Sequence, residues 1–269
     1  GACFRARRYC QAGCKMTEPL VTLDVNGNAA VIRLNRPSRH NALVPELLTD
    51  LLDALDDERS RNARTVILAA EGRSISTGGD LLGFWQHRDN IADYAQQLVG
   101  LLNQAVLSIY THPAPVVCAV QGQVTGGSLG LLLAADRVIM MRGVSITPWY
   151  SEVGFSPDGG WTALLPDVIG RQQSLNWLCS NASVTAEECL DMGIAHELVS
   201  TDAFAAALAW AKQIAGMNKA SIESTRSLLG RNTDDIRQGL QAERTAFVRQ
   251  IQTLEAIDGI AKFLGKKKL

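Results

Sequence analysis

Gly122-Gln123-Val124-Thr125-Gly126-Gly127-Ser128-Leu129-Gly130 follows an apolar run, Pro115 to Val120, that reads as a buried strand. It leads into Leu131-Leu132-Leu133-Ala134-Ala135, which reads as the first turns of a buried helix. Glycines at such a junction let backbone N–H groups approach a ligand closely, because no Cβ stands in the way. A helix N-terminus beyond them favours negative charge. The segment can therefore stabilise a substrate oxygen that becomes anionic, without any side chain.

Working outward, the chain alternates strands and helices. Val21, Leu23 and Val25 alternate with polar residues, Asn26-Gly27 follows, and Ala30, Ile32 and Leu34 alternate again, which predicts a hairpin. Leucines 47, 48, 51, 52 and 55 recur at helical spacing after Pro45. Thr65 to Ala70 reads as a strand, about 91 to 110 as a helix ending before Pro113, and Arg137 to Met141 as a strand. Thr185-Ala186-Glu187-Glu188 fits a capping box, Gly193 a helix stop, and Ile194 to Val199 a last strand. From about Asp202 the chain reads as helical throughout. The pattern predicts an α/β core over 16–201 with a helical C-terminal appendage over 202–269.

Composition bounds the function. The 269 residues are 46% hydrophobic and 20% charged, enough to bury a sizeable core. A formal net charge of -1 argues against a nucleic-acid or membrane surface role. No apolar run approaches the ~20 residues that span a bilayer. Cys118, Cys179 and Cys189 read as reduced core residues, and Cys3, Cys10 and Cys14 lack histidines at zinc-finger spacing, so no metal is expected. His40, His87, His112 and His196 show no metal spacing either. Residues 1–15 stand apart, with Arg5, Arg7, Arg8 and Lys15 and no acid, ahead of Met16. They read as a remnant, an overextended start or a leader. The expected location is cytoplasmic, or mitochondrial if those residues belong to a leader. Lys267-Lys268-Leu269 only loosely matches a peroxisomal signal.

A second glycine segment, Gly72-Arg73-Ser74-Ile75-Ser76-Thr77-Gly78-Gly79-Asp80-Leu81, follows the Thr65–Ala70 strand. With it, the chain resembles the crotonase superfamily, also called the enoyl-CoA hydratase/isomerase family. The motifs run in that family's order: Leu34-Asn35-Arg36-Pro37 with Asn41-Ala42-Leu43, then Ser76 to Leu81, then Gln121 to Gly130 with Ala135-Asp136. Gly154-Phe155-Ser156-Pro157-Asp158-Gly159-Gly160 with Leu165-Pro166, and Ala186-Glu187-Glu188 with Gly193-Ile194-Ala195, complete it over about 20–265. The resemblance implies a ββα spiral, a trimer or hexamer, and an acyl-CoA thioester substrate, with coenzyme A as part of the substrate and no separate cofactor. It assigns the two oxyanion donors to the backbone N–H groups of Ser76 and Gly127. Gly126, Tyr150 and Trp149 are then expected to line the substrate pocket, Asp80 to support it, and Lys266 to approach CoA phosphates.

The departure from the family lies in its acid–base pair. The two glutamates of the hydratases fall at Gly130 and Tyr150, neither of them acidic. Glycine moves no proton, and an ordinary tyrosine is a poor base near neutrality. Asp158 occupies a position where double-bond isomerases of the family carry an aspartate, and its Pro157-Asp158-Gly159-Gly160 setting is most similar to the epoxyphenylacetyl-CoA isomerases. One carboxylate suffices to take a proton from one carbon and return it to another. The expectation is an isomerase of unsaturated acyl-CoA, with Asp158 as the proton carrier. The alternatives are a catalytically silent acyl-CoA-binding paralogue, a hydratase with a non-standard acid or base, with Glu152 the nearest other carboxylate, and Asp158 as a nucleophile in a thioesterase or dehalogenase. A serine hydrolase is a distant alternative: Gly126-Gly127-Ser128-Leu129-Gly130 fits G-x-S-x-G, with Asp167 and His196 in triad order.

Overall fold

The computed structural model describes residues 18–266. The segment 1–15, its cysteines, Lys267, Lys268 and Leu269 lie outside the described residues. A six-stranded sheet runs in the order β1-β2-β3-β4-β6-β9. Its strands are β1 (Val21–Asn26), β2 (Ala29–Leu34), β3 (Thr65–Ala70), β4 (Val116–Val120), β6 (Arg137–Met141) and β9 (Glu197–Val199). A three-stranded sheet holds β5 (Gln123–Thr125), β7 (Ser145–Thr147) and β8 (Val184–Thr185). After β4 the chain steps into the small sheet for β5, returns for β6, and steps out again for β7. This repeated exchange is the spiral, and the stretch 122–130 is one of its steps.

The hairpin forms as its sequence dictates. β1 and β2 pair antiparallel with Asn26 opposite Ala29, and Gly27 takes the left-handed conformation, φ 61°, that a two-residue turn requires. From β2 to β9 every neighbouring pair in the large sheet is parallel. Parallel strands need both faces covered, and β2 shows how. Ala30, Ile32 and Leu34 face the main core, while Ala29 and Val31 face a second cluster closed by Ala203, Ala207 and Ala211 of the Ala203–Ala215 helix.

The first helix of the C-terminal helical region thus covers the second face of the sheet. The Thr233–Gln250 helix is equally integral, burying Ile236, Leu240, Glu243 and Phe247. Three expectations for individual elements are revised. The helix after the glycine stretch is only Leu129–Leu133, preceded by β5 and a 3-10 turn, Gly126–Ser128. The last strand is confined to Glu197–Val199. Cys179 is exposed, whereas Cys118 and Cys189 are buried.

Candidate active site

The two glycine segments meet. Ser76 and Val124 form an isolated parallel bridge. Gly78 has φ 72°, and a Cβ on it would fall 2.5 Å from the Thr125 carbonyl oxygen. The Ser128 hydroxyl donates to the carbonyls of Thr125, at 2.7 Å, and Ser76, at 3.1 Å, tying one segment to the other. Beside the junction opens a cavity of about 530 Å³, lined by both segments and by Leu98, Leu102, Phe155 and Phe247.

The placement of Ser76 corrects its assignment as a donor. Ser76 is fully buried behind the cavity wall, its hydroxyl donating to the Asn41 carbonyl at 2.8 Å. The wall of this segment is Thr77, Gly78 and Gly79. Thr77 N–H donates to His40, Gly78 N–H to the Ser76 hydroxyl, and Asp80 N–H to Leu43. Among the described residues Gly79 N–H has no acceptor, so it is the free donor that this segment brings to the cavity. The sequence carried a glycine there but not the partners that occupy its neighbours.

Gly127 does line the cavity, as does Gly126. As the second residue of a 3-10 turn, Gly127 has no acceptor for its N–H within the turn. A side chain there would collide with Leu102, and its Cβ would fall 2.9 Å from Asp158 Oδ1.

Asp158 is 8% exposed and on the cavity wall. Burial pushes its carboxyl up to about 7; the hydrogen bond from Tyr150 lowers it and the charge of Glu243 raises it further. The Tyr150 hydroxyl donates to Asp158 Oδ1 at 2.6 Å and to its carbonyl at 3.0 Å. Tyr150 itself is held well above the usual phenol range by burial and by the Asp158 charge. The loop is fixed to the glycine turn by Trp161, whose indole N–H donates to the Gly126 carbonyl at 2.8 Å.

The first hydratase position, Gly130, is closed by packing as well as by chemistry. A Cβ on Gly130 would fall 1.7 Å from the Gly159 carbonyl oxygen, so no carboxylate fits there without moving the Asp158 loop. Glu152, the nearest alternative acid, is half-exposed and pairs with Lys262 at 3.1 Å.

Asp80 lines the cavity but is committed elsewhere. It caps the Leu81–Gln86 helix through Leu82 N–H and pairs with Arg36 at 2.8 Å and Arg39 at 3.0 Å. Burial works to raise its pKa; the two guanidiniums outweigh it and hold the carboxyl below the usual range. Trp149 lies at the cavity mouth, 39% exposed and edge-on to Phe263. Lys266 is exposed and away from the cavity wall of its own chain.

The triad that a hydrolase needs is not assembled. The Ser128 hydroxyl is spent on two carbonyls, His196 Nδ1 accepts from Val138 N–H at 3.1 Å, and Asp167 pairs with Arg231. Among the described residues no group of three acidic, histidine or cysteine side chains is placed to hold a metal. No helix among them is long and apolar enough to cross a membrane.

One residue escaped the sequence reading. Glu243, 4% exposed, accepts hydrogen bonds from Gly160 N–H, Thr162 N–H, the Thr162 hydroxyl and Ala163 N–H, all just beyond Asp158. Its signal was an acid in the apolar stripe of Ile236, Leu240 and Phe247.

The chain is similar to known proteins in sequence and in fold. A Thermus thermophilus protein whose name places it among the enoyl-CoA hydratases is 31% identical over 252 residues, covering 90% of this chain and 96% of that one. The 4-chlorobenzoyl coenzyme A dehalogenase-2 of Arthrobacter is 27% identical over 182 residues, 67% of this chain and 66% of that one. The crystal structure of enoyl-CoA hydratase from Bacillus halodurans superposes with a TM-score of 0.83 at 26% identity, covering 90% of this chain and 99% of that one. The enoyl-CoA hydratase/isomerase family model matches residues 24–269, and the chain belongs to that family.

Proposed function

We propose that this protein isomerises the double bond of an unsaturated acyl-CoA. The observation that carries the reading is Asp158: a buried carboxylate on the cavity wall, against Gly127, with a pKa near neutrality. The other carboxylate on that wall, Asp80, is neutralised by two arginines. In this reading the thioester oxygen sits between the N–H groups of Gly79 and Gly127. Ionised Asp158 takes a proton from the acyl chain, and the electron pair spreads into an enolate that the two donors stabilise. The neutral acid then returns the same proton at another carbon, which moves the double bond with nothing gained or lost. Water addition calls for a further group to activate water, and Gly130 has no room for one. The active form is a homotrimer or hexamer.

The test is Asp158→Asn assayed with a panel of enoyl- and dienoyl-CoA thioesters. Isomerisation should fall by at least ~10²-fold, while acyl-CoA affinity survives. Full activity of the variant would sink the reading. The dehalogenase relatives favour a second one, in which Asp158 attacks a halogen-bearing carbon of the acyl group and forms an ester as the carbon–halogen bond breaks and halide leaves. A mass increase on Asp158, with halide released, after incubation with a halogenated acyl-CoA would decide for it.

A further inference from the structure

Glu243 does not line the cavity, yet it is bound to the loop that carries Asp158. Its helix comes unusually close to that loop: a Cβ on Gly239, one turn earlier, would fall 2.9 Å from the Ala163 Cβ. One carboxylate oxygen accepts from Gly160 N–H at 2.7 Å. The other accepts from Thr162 N–H at 2.6 Å, the Thr162 hydroxyl at 2.7 Å and Ala163 N–H at 3.0 Å. Three of these donors are backbone N–H groups, which can only donate, so the pocket is built for an anion. Among the described residues no basic side chain pairs with it.

Burial raises the Glu243 carboxyl above its ordinary value, and the four hydrogen bonds work the other way to favour its ionised form. An interior charge without a counter-ion is costly, and holding a loop does not require one. What lies next to this charge is the Asp158 loop. Asp158 is faced by Tyr150 from the Tyr150–Val153 helix and by Glu243 from the Thr233–Gln250 helix. Gly127, also against it, carries no charge. Phe247, one turn beyond Glu243, lines the cavity, so the same helix borders it.

We propose that Glu243 is the positioning residue of Asp158: it pins the loop so that the carboxylate rests against Gly127, and it sets a fixed negative charge behind it. This rests on reading Asp158 as the proton carrier. The charge makes ionised Asp158 readier to take a proton, and the four bonds keep its oxygen in place.

The experiment compares Glu243→Gln, which keeps shape but removes charge, with Thr162→Val, which removes one neutral donor. Asp158 is titrated directly by carbon NMR of protein labelled at aspartate carboxyls, its signal assigned with Asp158→Asn. In Glu243→Gln the Asp158 midpoint should move to lower pH, and isomerase kcat should fall about 10- to 100-fold, with affinity for a saturated acyl-CoA within about threefold. In Thr162→Val the midpoint should stay. An unmoved midpoint in a folded Glu243→Gln protein overturns the proposal and leaves Glu243 a structural residue. If the glutamine variant does not fold, glutamate-labelled wild-type protein decides: Glu243 ionised at pH 7 supports the proposal, and Glu243 neutral there overturns it. A wild-type protein without isomerase activity, but with the midpoint shift in Glu243→Gln, removes the isomerase reading and leaves this assignment standing.

Discussion

A side chain on Gly127 would begin 2.9 Å from Asp158 Oδ1 and 2.6 Å from Leu102 Cδ2, so the backbone donor and the carboxylate share one wall with no space between them. The Asp158 carboxylate and the Gly127 backbone are thereby fixed relative to each other by packing, and in the proposed reaction these are the proton carrier and an oxyanion donor. This pre-organisation is what electrostatic catalysis requires.

Gly127→Ala tests that relationship. The added methyl must displace Asp158 or Leu102, and overpacking of this kind costs about 1–3 kcal/mol. The melting temperature should drop and turnover should fall by roughly 10²-fold or more, the loss typical of one oxyanion donor. Gly143, with open space around it, is the control: Gly143→Ala should change neither. Wild-type turnover in Gly127→Ala would contradict the placement.

Tyr150→Phe separates the hydroxyl from the ring. The bond from Tyr150 favours ionised Asp158 and lowers its pKa. Its removal should raise that pKa, so the rise of kcat/KM with pH should move to the alkaline side. Activity lost near pH 6 should return above pH 8. A pH profile that keeps its midpoint would show that the hydroxyl does not set the ionisation of Asp158.

The helix Lys219–Leu229 buries none of its residues, and Leu228 and Leu229 are 87% and 82% exposed. Adjacent exposed leucines on one helix mark a surface that wants a partner. Light scattering at micromolar concentration should report a trimer or hexamer, and Leu228→Arg with Leu229→Arg should shift it towards smaller species. A monomeric wild-type protein would contradict the oligomer.

Much of this was legible in the chain. Asn26-Gly27 announced the hairpin, and the runs at 65–70 and 115–120 announced β3 and β4, because continuous burial leaves a continuous apolar signature. β5, β7 and β8 went unseen because two or three residues carry no period. The site was legible to the level of segments. Preferring Gly79 to Ser76 required knowing that Ser76 is buried behind the cavity wall while Gly79 lines it, which only the folded chain shows. Glu243 was hidden for the same reason, its partners being backbone atoms of a distant loop.

The cost of the site should be measurable in stability. Asp158 is raised in the folded protein from an ordinary carboxylate value to about 7, chiefly by burial. Between pH 4 and 7 the folded state therefore holds more protons than the unfolded one, and stability falls as pH rises through that window. Each pKa unit of such a shift corresponds to about 1.4 kcal/mol. Asp158→Asn removes the titration while keeping an acceptor for the Tyr150 hydroxyl. The variant should match wild type near pH 4 and melt at a higher temperature at pH 8, trading catalysis for stability. Calorimetric or fluorescence melting across pH 4–8 checks this. A difference in melting temperature that stays constant across that range would mean that Asp158 titrates as an ordinary carboxylate.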